Sequence, residues 1–151
     1  MKILVCTDGS QPSLRAVERA ADIAEGMEYT ETAIIHVYED RFDPSSSFYE
    51  VRPRTKQDVS RLKKLQDMEK AAGEKILHEA KKIFDRRGLE TRTVLKQGHP
   101  TDTIVKTAVE EGFEMIVLGS RGRGGLQKLF LGSVSNAVVQ EAKDCMVVVV
   151  K

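Results

Sequence analysis

The chain of 151 residues sets 24 Lys and Arg against 23 Asp and Glu, a formal net charge of +1, with 40% hydrophobic and 31% charged residues. That length supports one domain over residues 1–151 with its own buried core, and excludes a disulfide-stapled miniprotein. The composition excludes a disordered chain, and the balanced charge argues against nucleic acid as a partner.

The opening run Lys2–Cys6 is short and apolar, the pattern of a strand buried on both faces. Thr7-Asp8-Gly9-Ser10 breaks it, and Pro12 suits the first turn of a helix whose stripe of Leu14, Val17, Ala20, Ala21 and Ala24 stops at Gly26. Residues 32–37 form a second strand. Residues 38–56 show no period and hold Pro44, Pro53 and three serines, a long loop with a functional look. A helix is expected over 58–87, with Val59, Leu62, Leu65, Ile76, Ala80 and Ile83 on its apolar side. Its interleaved charges read as a solvated face. Strands at 90–96, 114–118 and Met146–Val150 and helices at 101–111 and 133–142 complete the series.

Five strands alternating with four helices predict an α/β domain with a parallel sheet and helices on both faces. Ligands of such sheets bind beyond the carboxyl ends of the strands, where the winding reverses. The loops that stand out follow strand one (residues 7–10) and strand four (119–132). Order 3-2-1-4-5 sets these two loops side by side; order 2-1-3-4-5 would not. The former is the expected order.

The second loop is the informative one. Five of the eleven glycines fall between Gly119 and Gly132, and no acid occurs from Gly119 to Gln140, so Arg121, Arg123 and Lys128 have no local counter-charge. Glycines let backbone amides approach a ligand, and Gly132-Ser133 opens a helix whose free amides and dipole favour an anion. Ser133 and Ser135 can add hydroxyls, and the whole describes a phosphate cradle. Two familiar phosphate loops fail to match: Gly125-Leu126 stands where a Walker loop needs Lys-Ser/Thr, and Gln127 takes the last glycine position of a dinucleotide fingerprint. The plainer alternative is a surface turn in which Ser133 caps a helix.

The spacing Gly119-x2-Gly122-x9-Gly132-Ser133 resembles the G-2x-G-9x-G-S/T signature of the ATP-binding universal stress proteins. The likeness runs over nearly the whole chain, from Thr7-Asp8-Gly9-Ser10 through Ile35-His36-Val37 and residues 116–122 to the valine-rich last strand. It implies a five-stranded domain, usually dimeric, that binds ATP in stress tolerance, usually without a known dedicated reaction. By position, Gly119, Arg121 and Gly122 are then expected along the ribose and phosphates, and Gly132, Ser133, Val134 and Ser135 on the phosphates. Asp8 is expected at the adenosine end beside Thr7, the Val37 backbone at adenine, and Cys6 and Leu118 at the pocket border. Cys6 departs from the family, which often has an apolar residue or proline there.

Asp8 has a simpler reading as a turn or capping residue before the first helix. A phosphoacceptor domain would need an acid after strand three, where Leu95-Lys96-Gln97 offers none. His36, His78 and His99 form no metal-binding or catalytic constellation and read as structural. Any Mg²⁺ is expected to arrive with the phosphates. Phe42, Phe48 and Tyr49 in the long loop read either as a lid or partner patch or as scattered exposed aromatics.

Cys6 and Cys145, separated by the fourth strand, are not expected to bridge. With Met1-Lys2 running straight into Ile3-Leu4-Val5, they suggest a reducing, cytoplasmic setting. No membrane span is expected. The expected function is a regulatory nucleotide-binding module with a protein partner of unknown identity; the alternative is a slow ATPase or phosphotransferase. Met146–Val150, as an unprotected apolar edge, is expected to pair with its symmetry mate in a homodimer.

Overall fold

The computed structural model describes residues 1–39, 55–122 and 131–151. Phe42, Phe48 and Tyr49, and in the glycine loop Arg123, Gly124, Gly125 and Lys128, lie outside the described residues.

The strands are β1 (Lys2–Cys6), β2 (Glu31–Tyr38), β3 (Arg92–Gln97), β4 (Met115–Gly119) and β5 (Met146–Val150). The helices are α1 (Gln11–Glu25), α2 (Lys56–Asp85), α3 (Pro100–Glu110) and α4 (Ser133–Glu141). All the pairings are parallel and the order is β3-β2-β1-β4-β5, so the winding reverses between β1 and β4 as the two loops required. Among the described residues no helix is long and apolar enough to cross a membrane.

Alternation along each strand sorts the core into two layers. Ile3, Val5, Ile34 and Val117 face α1 and α2, packing with Ala16, Val17, Ala20, Ala80 and Phe84. Leu4, Cys6, Ile35, Ile116 and Leu118 face the other way, with Ile104 and Ala108 of α3 and Val138 of α4. Each fully buried Val, Ile or Leu contributes roughly 1.5–3 kcal/mol relative to an exposed one. The small stripe of α1 lets that helix lie close to β1 and β4.

Two expected boundaries move for identifiable reasons. β3 starts at Arg92 because the chain before it turns through Gly88 (φ +69°), and the Glu90 carbonyl accepts from the Thr32 hydroxyl at 3.0 Å. α2 starts at Lys56 because Thr55 and Asp58 form a reciprocal capping box.

The expected apolar side of α2 holds in its second half, where Leu77, Ala80, Ile83 and Phe84 are buried, and fails in its first. Val59 and Leu65 are exposed, while Gln66 and Gly73 are buried. Length explains this. The 30 residues of α2 span ~45 Å, against ~27 Å for the eight of β2, so one end of the helix overhangs the sheet.

Candidate nucleotide site

A cavity of about 340 Å³ opens at the carboxyl ends of β1, β2 and β4, on the side of α3 and α4. This is the low end of the ~300–1,000 Å³ of small-molecule pockets. All twelve residues singled out in the sequence line it: Cys6, Thr7, Asp8, Val37, Leu118, Gly119, Arg121, Gly122, Gly132, Ser133, Val134 and Ser135. Its apolar wall combines Cys6, Ile35, Val37 and Leu118 from the sheet with Pro100 and Ile104 from α3. Its polar side is built from the turn after β1, the loop after β4 and the first turn of α4.

The turn after β1 is tightly wired. Thr7 N donates to Ile35 O at 3.0 Å, which carries the sheet pairing one residue past β1. The Ser13 hydroxyl donates to Ser10 O at 2.9 Å, so in the 3.0 Å contact between Thr7 Oγ1 and Ser13 Oγ the proton is that of Thr7. Asp8 N donates to Ser13 Oγ, Gly9 N to Thr7 Oγ1 and Ser10 N to Asp8 Oδ1 at 3.0 Å. The Asp8 carboxylate thus closes a local turn with one oxygen while lining the cavity. The cap of α1 is Ser10, whose side chain accepts from Ser13 N. Gly9, at φ +79°, provides the left-handed step this turn needs.

On the other side, the backbone of Ser120 joins three elements. Ser120 N donates to Val150 O at the end of β5, and Ser120 O accepts from Gly132 N, both at 2.7 Å. Ser135 Oγ lies 3.0 Å from both Ser120 O and Gly132 O, so this buried hydroxyl ties the base of the loop to α4. The first intrahelical bond of α4 runs from Asn136 N to Gly132 O. The amides of Ser133, Val134 and Ser135 therefore form the open turn that a helix start offers to an anion. Ser133 is exposed and Gly132, the N-cap, makes no side-chain capping bond.

The loop glycines do different work. A Cβ on Gly119 would stand 2.7 Å from Pro12 O and 2.9 Å from Ser13 N, so Gly119 admits the backbone of α1. A Cβ on Gly122 would meet the Asp8 carboxylate. At Gly132 the nearest atoms stand 3.4 Å or more away, and a methyl would fit.

The sequence profile of the universal stress protein family matches residues 1–151, the whole chain. The chain belongs to the universal stress protein family. It is 33% identical over 150 residues to universal stress protein YxiE of Bacillus subtilis, covering 99% of this chain and 98% of that one. Universal stress protein UspA from Lactobacillus plantarum has the same fold, with a TM-score of 0.82 and 24% identity over 100% of this chain and 97% of that one. A universal stress protein solved in complex with cAMP has a TM-score of 0.69 and 27% identity, over 100% of this chain and 97% of the other.

In this universal stress protein both cysteines are free, and burial pushes the Cys6 thiol up to about 12. Cys6 thus meets the cavity as a neutral, weakly polar group. Ser13, Ile35, Pro100 and Ile104 line the cavity without having been expected there, and so does His36, which the sequence read as structural. Ile35 was within reach of strand parity, being two residues from Val37. Pro100 and Ile104 arrive by the crossover from β3 to β4, and no local pattern marks them. Among the described residues no group of three or more His, Cys, Asp or Glu could hold a metal ion.

Proposed function

We propose that the chain binds ATP in this cavity and serves as a regulatory nucleotide-binding module of the stress response. One observation carries the reading: the open first turn of α4 faces the same cavity as the Asp8 carboxylate and an apolar wall from β2 and α3. Amides and a helix dipole suit phosphates, a carboxylate suits the ribose end, and the wall suits a base. In this reading Gly132, Ser133, Val134 and Ser135 hold the phosphates. Gly119, Arg121 and Gly122 flank ribose and phosphates, Asp8 and Thr7 stand at the adenosine end, and the Val37 backbone meets adenine between Cys6 and Leu118. The relative solved with cAMP supports an adenine nucleotide as the ligand class. Mg²⁺ would be carried by the phosphates.

Asp8 is the one carboxylate among the described residues lining the cavity, and it already closes a turn through Oδ1. Phosphoryl transfer calls for a positioned base together with metal-holding groups. This favours a binding module over an ATPase or phosphotransferase. We further propose a cytoplasmic homodimer paired through residues 146–150.

Mass spectrometry of nucleotide released from freshly purified protein, with and without Mg²⁺, tests the proposal. ATP is the expected species, with calorimetric rebinding after its removal. Protein that neither carries nor rebinds an adenine nucleotide overturns the reading.

A further inference from the structure

His36 sits in β2 between Ile35 and Val37, so its ring projects to the opposite face of the sheet, toward α2. There its Nδ1 lies 2.8 Å from the carbonyl oxygen of Thr7. A carbonyl only accepts, so Nδ1 carries the proton and donates. Thr7 is the first residue past β1, and its own N–H is held by Ile35 O at 3.0 Å. Neighbouring residues of β2 therefore grip both sides of Thr7, at the point where the chain leaves the sheet for Asp8.

The ring has a seat made for it. Gly73 is buried in the interior of α2, where glycine is unfavourable for a helix. A Cβ there would stand 2.8 Å from His36 Cδ2 and 2.8 Å from Leu95 Cδ1. The helix forgoes a side chain where the ring passes beneath it.

We propose that His36 is a positioning residue for the nucleotide pocket: from the far side of the sheet its Nδ1–H fixes the Thr7 carbonyl and so aims Asp8 into the cavity, with Gly73 providing the room. The ligand half of this inference rests on the nucleotide reading above; the hold on the turn does not. The ring acts at the Asp8 end and makes no use of the α4 amides. Its loss falls on nucleoside recognition and spares phosphate recognition.

The test uses His36→Leu, which removes the donor; His36→Asn, which keeps an N–H near the Nδ1 position; and Gly73→Ala, which crowds the ring. Calorimetry with adenosine and with inorganic tripolyphosphate reads the two ends, and amide hydrogen exchange of residues 8–10 in ligand-free protein reads the turn. In His36→Leu, adenosine affinity is expected to fall about fivefold to tenfold, the worth of one hydrogen bond, with tripolyphosphate affinity within about twofold. The amides of residues 8–10 should exchange faster by a similar factor while those of β4 do not. Gly73→Ala should shift both readouts the same way, and His36→Asn should recover most of both.

Unchanged exchange at residues 8–10, equal losses for the two ligands, or acceleration across the whole sheet would overturn the inference. A wild-type protein that binds neither ligand sinks the nucleotide reading instead, and exchange then decides the hold on the turn.

Discussion

The carboxylate of Asp8 occupies the space that a side chain at position 122 would need: a Cβ on Gly122 would stand 2.5 Å from Oδ2 and 3.6 Å from Cγ of Asp8. The loops after β1 and β4 meet at this point, and the glycine there makes room for the protein's own acid. Oδ2 is the far end of a side chain, so a larger residue displaces Asp8 without unfolding the domain. Gly122→Val is expected to lower ATP affinity at least about tenfold, more than the single hydrogen bond it disturbs. Gly122→Val combined with Asp8→Ala should lose less than the sum of the two single losses, because the residues act as one unit. A calorimetric double-mutant cycle measures this; additive losses would mean that the valine strikes the ligand itself.

The two serines of α4 are expected to separate affinity from stability. Ser133 is exposed at the first position of the helix, and Ser133→Ala leaves every amide of the cradle in place. It should cost on the order of 1 kcal/mol in ATP binding and little in stability. Ser135 is 3% exposed and its hydroxyl is committed to Ser120 O and Gly132 O. Ser135→Ala should therefore destabilise the unliganded protein by about 0.5–1.5 kcal/mol, the worth of one hydrogen bond, since both carbonyls keep their backbone donors. Urea titrations beside calorimetry distinguish the two; the reverse assignment of effects would remove Ser133 from the phosphate site.

Much of this was legible in the sequence because the signals are local. Apolar runs and 3.6-residue stripes mark the elements, and the two loops, after strands one and four, implied the strand order. The individual duties of the glycines were not legible. Gly119 admits the backbone of α1, a contact across about a hundred residues of chain that no spacing reveals. Gly73 and His36 meet only because α2 packs across β2, and His36, in a strand of apolar neighbours, reads as an ordinary structural histidine. The first half of α2 misled for a related reason: its stripe continues past the end of the sheet, where nothing in the strands can cover it.

β5 is an edge strand, and Met146 at its start is 50% exposed. Val148 packs against the core on the α1 side, so Val148→Lys would disturb the fold as well as any pairing. Met146→Lys is the cleaner probe. Wild type is expected to sediment as a dimer, and Met146→Lys should weaken association about threefold to tenfold by setting a charge against the apolar far end of the mate's strand. Its melting temperature at a fixed monomer fraction should not change. A monomeric wild type, or a dimer indifferent to the lysine, overturns pairing through β5.

Cys6 gives the protein a pH dependence of known sign. Burial raises its thiol from the ordinary value of 9.0 to about 12 in the folded protein. In the unfolded chain the thiol ionises near its ordinary value, so above that pH the unfolded state binds fewer protons than the folded one and stability falls as pH rises. The contribution is fully present below 9.0 and is lost between 9.0 and about 12. The slope is about 1.4 kcal/mol per pH unit in the limit of one proton. Tyrosines and lysines titrate in the same range, so the comparison must be between wild type and Cys6→Ala, in which their effects cancel. Urea unfolding under reductant should show a constant difference between the two proteins from pH 7 to 8.5. By pH 10 that difference should have shifted by about 1 kcal/mol toward the alanine variant. Parallel stability curves through pH 10 would mean that the thiol ionises as readily in the folded protein as in the unfolded chain, and that the pocket wall at Cys6 is wet.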